Sequence, residues 1–314
     1  MDINKVKVLL FGTGAVGGFY AGKLSQAGAC VSAVSRSDYD TVKKNGITIK
    51  SVLGDFSFIP DKVLKNGADY KDRPDYIIVA TKVFPEIDIY SMIKDAAYPE
   101  TSIVLLQNGI DIEKSVAEKF PGNEIISALA FICVARPEHG SIDHQDYGRI
   151  VIGRYPDGNS EKVKLLMDMF LKSGVTASSS DSVIAARWTK LLWNAPFNPL
   201  SVICGGADTR EMLNQPEIKK LCRDVMNEVL LIAKADGYSI DESLITKNIE
   251  DTEKMTPYKT SMLLDYENKR PMEVEAILGN ALSIARKHKV NAVHIETLYA
   301  LLTIINKKNL RKND

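Results

Sequence analysis

One run stands out for its chemistry: Arg187-Trp188-Thr189-Lys190-Leu191-Leu192-Trp193-Asn194-Ala195-Pro196-Phe197-Asn198-Pro199-Leu200. Lys190, Asn194 and Asn198 are spaced four apart, which stacks them along one face of a helix with a gradual drift. An ammonium in line with two amides, beside apolar surface, can donate a proton and clamp a polar ligand. The same stripe is also what an ordinary solvated helix face looks like. Pro196 removes a backbone donor, so the helix is expected to kink or end near Asn198.

A second constellation lies at the other end of the chain. Val8-Leu9-Leu10-Phe11-Gly12-Thr13-Gly14-Ala15-Val16-Gly17 holds G-x-G-x-x-G directly after an apolar run and at the start of a helical pattern. The first glycine permits the tight turn, the second lets a pyrophosphate approach the backbone, and the third lets helix and strand pack closely. A helix N-terminus adds free N–H donors and a positive dipole end. Gly12, Thr13, Gly14, Ala15, Val16 and Gly17 are therefore read as a dinucleotide cradle. The next strand ends Ala33-Val34-Ser35-Arg36-Ser37-Asp38. It lacks the terminal acid that holds an NAD ribose, and Arg36 stands where a 2′-phosphate would be met. NADP is favoured over NAD.

These groups need a scaffold, and the apolar patterning supplies one. Val6–Phe11, Cys30–Ser35, Tyr76–Thr81 and Ser102–Leu106 read as buried strands, with helices at Val16–Gln26, Ile87–Ala97 and Ile112–Phe120 between them. That alternation predicts a mostly parallel sheet covered on both faces. Ile47–Ile49 and Phe56–Ile59 look like a short antiparallel excursion. Ile125–Ala135, Gly140–Asp143 and Arg149–Gly153 extend the sheet as antiparallel strands, with Pro137 and Gly140 at the turn. A helix near Ser160–Ser173 precedes the polar stretch Ala177–Ser182, the best candidate boundary. Beyond it Ala185–Trp193, Glu217–Asp236, Glu242–Lys254, Met272–Lys289 and Ile295–Asn306 read as helices, with Pro216 at a helix start and Gly237 just past an end. The expected architecture is an α/β Rossmann-type N-terminal domain over residues 1–180, followed by an all-α domain over 181–314. Lys82 and Asn108-Gly109 then follow the carboxyl ends of two strands, where open α/β sheets bind ligands. Taken alone, each also reads as a solvated charge or a plain turn.

Bulk composition closes off other classes. The 314 residues carry 40 Lys+Arg against 40 Asp+Glu, a formal net charge of zero. That balance argues against a polyanion partner. The only dense basic cluster is the Lys307–Lys312 tail, of the kind that is usually a solvated end. Cys30, Cys133, Cys204 and Cys222 are scattered, and His139 and His144 lack carboxylate or thiol company, so neither a metal site nor a disulfide framework is expected. The longest apolar stretch, Ile125–Ala135, is too short for a span of ~20 residues, and the N-terminus lacks signal-peptide features. A cytoplasmic protein is expected, with a small-molecule partner and neither nucleic acid nor membrane. A homodimer is compatible with this.

Five features in order and approximate spacing resemble the ketopantoate reductase (2-dehydropantoate 2-reductase) family: Gly12–Gly17; Thr81-Lys82; Asn108-Gly109; Lys190-Leu191-x-x-Asn194-x-x-x-Asn198-Pro199-Leu200; and Ser261-Met262-Leu263-x-Asp265 followed by Pro271-Met272-Glu273-Val274-Glu275. The likeness runs across nearly the whole chain. It implies NADPH-dependent reduction of 2-dehydropantoate to (R)-pantoate, in pantothenate and coenzyme A synthesis. Lys190 would be the general acid, and Glu273 would hold substrate and complete the catalytic and cofactor site. Asn108 would bridge cofactor and substrate. Asn194, Asn198 and Ser261 would bind substrate, while Arg36 and Lys82 would bind cofactor. Glu275 rivals Glu273, since a helix would point the two in different directions. A different NADP-linked 2-oxo acid or β-hydroxy acid dehydrogenase, and a non-catalytic NADP(H)-sensing regulator, are the alternatives.

Overall fold

The computed structural model describes residues 2–311, so Lys312 of the basic tail lies outside them. The chain divides into two compact units. One comprises the residues up to Gln107 together with Ile112–Val183, and the other Asn108–Asp111 together with the residues from Ile184 onward.

The first unit runs β1 (Lys7–Phe11), α1 (Ala15–Ala27), β2 (Cys30–Val34), α2 (Tyr39–Asn45), β3 (Ile47–Ser51), β4 (Phe56–Phe58), β5 (Val63–Leu64) and β6 (Tyr76–Val79). It continues through α3 (Ile89–Ile93), β7 (Ser102–Leu105), α4 (Lys114–Lys119), β8 (Ile125–Glu138), β9 (Ser141–Arg154), α5 (Glu161–Lys172) and β10 (Ala177–Ser179). All ten strands share one sheet, ordered β4-β3-β9-β8-β7-β6-β1-β2-β5, with β10 on β9. From β5 across to β8 every pairing is parallel. The chain order reverses at β1, which has β2 on one side and β6 on the other, the switch point at which such sheets bind dinucleotides.

Side-chain alternation explains why β1 is apolar from Val8 to Phe11. Val8 and Leu10 enter a core with Phe19, Leu24, Leu166 and Phe170 of α1 and α5. Leu9 and Phe11 enter a second core with Ile93, Val116 and Phe120 on the opposite face. A strand covered on both sides has no polar face to show.

Three sequence expectations change here. Pro137 is not in the β8–β9 turn; it lies inside β8, where the pairing steps from Ala135–Asp143 to Glu138–Ser141. Proline cannot donate to a ladder, so the register slips around it, and Gly140 (φ 73°) makes the reversal. The β3–β4 pair is antiparallel as expected, yet β3 also joins β9 in parallel and so widens the main sheet. Finally, the polar stretch after residue 176 contributes β10, with Ala177 opposite Ile150. Backbone pairing needs no apolar side chain.

The second unit is helical: α6 (Val183–Ile203), α7 (Thr209–Leu213), α8 (Pro216–Ala235), α9 (Ser243–Lys254), α10 (Ser261–Glu267), a π turn over Glu275–Gly279, α11 (Asn280–Lys287) and α12 (Val293–Arg311). Pro216 starts α8, and Gly237 (φ 96°) follows its end. Two helices, α7 and α10, are not among those expected, and each is less than two turns long. For α7 a signal was present, the Asp208–Glu211 capping box. The helix expected from Met272 leaves Met272 and Glu273 outside it.

Of the kink or end expected near Asn198, the end does not occur. α6 runs through both Pro196 and Pro199. Each interior proline costs about 3 kcal/mol in an isolated helix. Here Trp188, Leu192, Ala195 and Phe197 are fully buried in one cluster with Val225, Val229 and Ile232 of α8. Burying a large apolar side chain contributes ~1.5–3 kcal/mol, so the packed face outweighs the missing donors.

Candidate active site

In the first unit a glycine-rich loop joins the end of β1 to the start of α1. Gly12 has φ 101°, and a Cβ there would meet the Ala80 carbonyl and the Thr81 nitrogen at 3.0 Å. A Cβ on Gly17 would lie 2.1 Å from the Gly12 oxygen and 2.8 Å from the Ala80 Cβ, so only glycine lets α1 sit this close to the strands. Gly14 differs. Nothing lies within 4 Å of its would-be Cβ, which leaves open space over the N-terminus of α1. These residues fit a bound dinucleotide: two glycines close the turn and the third keeps the phosphate approach clear. Between them, the buried Thr13 hydroxyl meets the Ser35 hydroxyl at 2.8 Å, which ties the loop to the end of β2.

Just beyond Ser35, the Arg36 side chain is exposed. Asp38, the nearest acid after the strand, is 1% exposed. Its carboxylate accepts hydrogen bonds from Arg136 and Ser37, so it is committed inside the protein. Across β1, Gln107 Nε2 donates to the Thr81 carbonyl at 2.7 Å and so joins the ends of β6 and β7. Lys82 follows, half-buried.

The second unit assembles a different set. Lys190 Nζ donates to Asn108 Oδ1 at 2.6 Å. Asn108 owes its place to its own turn. Gly109 adopts φ 109°, with Ala276 so near that a Cβ would come within 2.6 Å of its carbonyl oxygen. Arg187, buried on α6, donates to the Gly109 carbonyl at 3.0 Å. The Ile110 N–H donates to the Ala276 carbonyl at 3.1 Å, and Asn280 Nδ2 donates to the Ile110 carbonyl at 2.8 Å. A four-residue loop is thus fixed by α6, the π turn and α11 together. π turns recur at functional sites because they rotate what precedes and follows them.

Asn108 also lines a pocket with Asn198, Ser261, Met262, Asp265, Glu273 and Ile277. Asn198 and Glu273 are almost wholly buried. The Asn198 Oδ1 has no hydrogen-bond partner, an acceptor whose burial is unrewarded unless a donor reaches it. Asn194 is buried one turn earlier on α6 but is not among the lining residues. Glu275 is directed elsewhere, accepting from the Tyr299 hydroxyl at 2.6 Å. Asp265 is a lining residue that the sequence places in the Ser261–Asp265 motif without a role of its own. Its carboxylate accepts from Arg270 Nε at 3.1 Å, and its place four residues after Ser261 in that motif was the signal available.

Residues 8–157 match the family described as Ketopantoate reductase PanE/ApbA, and residues 182–306 match its C-terminal counterpart. A 2-dehydropantoate 2-reductase from Nostoc sp. is 34% identical over 312 residues, covering 98% of this chain and 97% of its own. The chain belongs to the ketopantoate reductase family. Solved structures of ketopantoate reductases agree over the whole length. The 2-dehydropantoate 2-reductase of Methylococcus capsulatus is 46% identical, with a TM-score of 0.91 over 97% of this chain and 98% of that one. That of Geobacter metallireducens is 29% identical, with a TM-score of 0.89 over 98% and 100%. Among the described residues no group of His, Cys, Asp and Glu is arranged to hold a metal, and no helix is long and apolar enough to cross a membrane.

Proposed function

We propose that the chain reduces 2-dehydropantoate to (R)-pantoate with NADPH. The observation that carries this reading is the Lys190–Asn108 hydrogen bond beside a pocket lined by Asn198, Ser261 and Glu273. The α/β domain, residues 1–180, holds the cofactor, and the helical domain, residues 181–314, holds substrate and proton donor.

Gly12–Gly17 and the α1 N-terminus would receive the pyrophosphate, Arg36 the 2′-phosphate, and Lys82, Asn108 and Glu273 would complete the cofactor site. When bound, NADPH supplies a hydride to the C2 carbonyl carbon. The carbonyl oxygen then gathers negative charge, and the Lys190 ammonium stabilises that charge and delivers a proton to the oxygen. An ammonium has three donors. Asn108 takes one of them and thereby fixes the rotation of the head group. Asn198 offers its buried amide oxygen to a substrate hydroxyl, and Ser261 can donate or accept. Glu273 helps to hold the substrate and completes the catalytic site. Asn194, one turn from Lys190, supports the same helix face.

Four cysteines, two of them buried, suit a reducing cytoplasm. The deciding experiment is a steady-state assay with 2-dehydropantoate and either NADPH or NADH, alongside a panel of other 2-oxo acids. Efficient turnover of 2-dehydropantoate with NADPH is expected. A preference for another 2-oxo acid, or no turnover despite tight NADPH binding, would overturn the assignment.

A further inference from the structure

Asn198 is asked to do something difficult. It precedes Pro199, and a residue before proline is biased away from helical backbone angles, yet it sits inside α6. Its side-chain amide lines the pocket with an acceptor that no protein donor satisfies, so the aim of that amide depends on how firmly its backbone is held.

A buried pair of hydroxyls provides the hold. Ser201 Oγ donates to the Asn198 carbonyl at 2.8 Å and lies 2.7 Å from Thr260 Oγ1. Both residues are 0% exposed. Each hydroxyl has a single proton. Ser201 spends its proton on the Asn198 carbonyl, so the proton between the two oxygens belongs to Thr260. Thr260 in turn accepts from the Leu263 N–H at 3.1 Å, as the N-cap of α10. The next residue is Ser261, the first of α10 and a lining residue of the same pocket. One chain of hydrogen bonds therefore runs from the backbone of Asn198 to the helix start that presents Ser261.

We infer that Ser201 and Thr260 are positioning residues of the substrate site, setting Asn198 on α6 and Ser261 on α10 at a fixed separation. The inference rests on the functional reading above. Neither hydroxyl touches substrate. Their role is to keep two substrate-contacting side chains in register across helices that share no backbone hydrogen bond at this point, so their loss acts on binding of the 2-oxo acid and leaves the hydride and proton steps alone.

The test compares Thr260→Val, which keeps the shape and deletes the hydroxyl, with Thr260→Ser, which restores it. Thr260→Val is expected to raise KM for 2-dehydropantoate about tenfold with kcat within about twofold, the pattern of lost uniform binding. NADPH affinity stays unchanged, and Thr260→Ser returns KM to the wild-type value. In an Asn198→Ala background, Thr260→Val adds less than about a twofold further change, because coupled residues are not additive. Ser201→Ala, which removes the donor to the Asn198 carbonyl, gives the same pattern and serves if Thr260→Val does not fold. An unmoved KM, or an equal increase with and without Asn198, overturns this inference while leaving the functional reading intact. A wild type that turns over no 2-dehydropantoate overturns both.

Discussion

Lys190 and Asn108 are 82 residues apart in sequence and joined by a 2.6 Å hydrogen bond from ammonium to amide oxygen. The bond forms because the loop after β7 is captured by helical residues: Arg187 holds the Gly109 carbonyl and Asn280 the Ile110 carbonyl. A strand end from the α/β pattern and a helix face from the second half of the chain thereby contribute to one polar cluster. Removing the Lys190 amine should lower kcat by ~10²-fold or more, the usual scale for a general acid. NADPH affinity, read by fluorescence titration, should stay near wild type in Lys190→Ala. A variant with normal turnover sinks the role.

The proposed preference for NADPH rests on Arg36. It is exposed, while Asp38, two residues on, is buried against Arg136 and so cannot serve a ribose hydroxyl. A charge-assisted bond contributes ~1.5–3 kcal/mol, so Arg36→Ala should raise KM for NADPH by roughly 10- to 100-fold. KM for NADH should move by no more than about twofold. Equal losses with both cofactors would show that Arg36 does not read the 2′-phosphate.

The glycine loop separates fold from binding. Gly17→Ala would push a Cβ to 2.1 Å from the Gly12 oxygen and should destabilise the protein by ~1–3 kcal/mol, the usual cost of overpacking. Gly14→Ala meets nothing within 4 Å, so the melting temperature should hold while the new methyl group occupies the phosphate approach. Thermal melts with and without NADPH distinguish the two. Stabilisation of Gly14→Ala by NADPH equal to that of wild type would refute the assignment of the cradle.

Much of this was legible in sequence, and the exceptions have physical causes. G-x-G-x-x-G can be read because two of its glycines sit where a Cβ collides with backbone, a constraint local to the turn. The central strands could be read because burial on both faces favours continuous apolar runs, whereas the short edge strands β5 and β10 carry no such run. Pro196 misled because propensity is a local cost, and the burial of α6 in a core shared by the whole helical unit overrides it. Asp265 carries no role in the sequence because a carboxylate in a short helix reads as surface until its partner, Arg270, is placed. Membership of the pocket depends on which helices meet, and spacing along one helix does not contain that.

His144 gives the first unit a pH-dependent stability. It is 1% exposed, and burial holds its pKa below the ordinary 6.5. The Ser51 hydroxyl meets Nδ1 at 2.8 Å, while Nε2 faces the Asp146 and Tyr147 carbonyls, an arrangement that suits the neutral ring with its proton on Nε2. The unfolded state takes up a proton more readily than the folded one. Stability from this group is therefore complete above the unfolded pKa and falls as pH drops below about 6.5. Urea titrations at pH 7.5 and 5.5 should show a loss that shrinks in His144→Gln. An identical pH slope in the variant would assign the loss to other groups.

Glu273 and Glu275 provide the sharpest comparison, because two positions of separation decide between two environments. Glu273 lies just before the helix, buried at the pocket wall; Glu275 begins the π turn and accepts from Tyr299. That hydrogen bond also raises the Tyr299 pKa, since the phenolate would face a carboxylate. Shortening Glu273 to Ala should therefore lower kcat/KM for 2-dehydropantoate by ~10²-fold, a loss of transition-state stabilisation. Glu275→Ala should leave kcat/KM within about twofold and cost roughly 1 kcal/mol of stability, the net value of one hydrogen bond. Denaturation curves and initial rates on the two variants suffice. The reverse pattern, with catalysis lost in Glu275→Ala and kept in Glu273→Ala, would transfer the active-site carboxylate to the other position and show that the π turn rotates in solution.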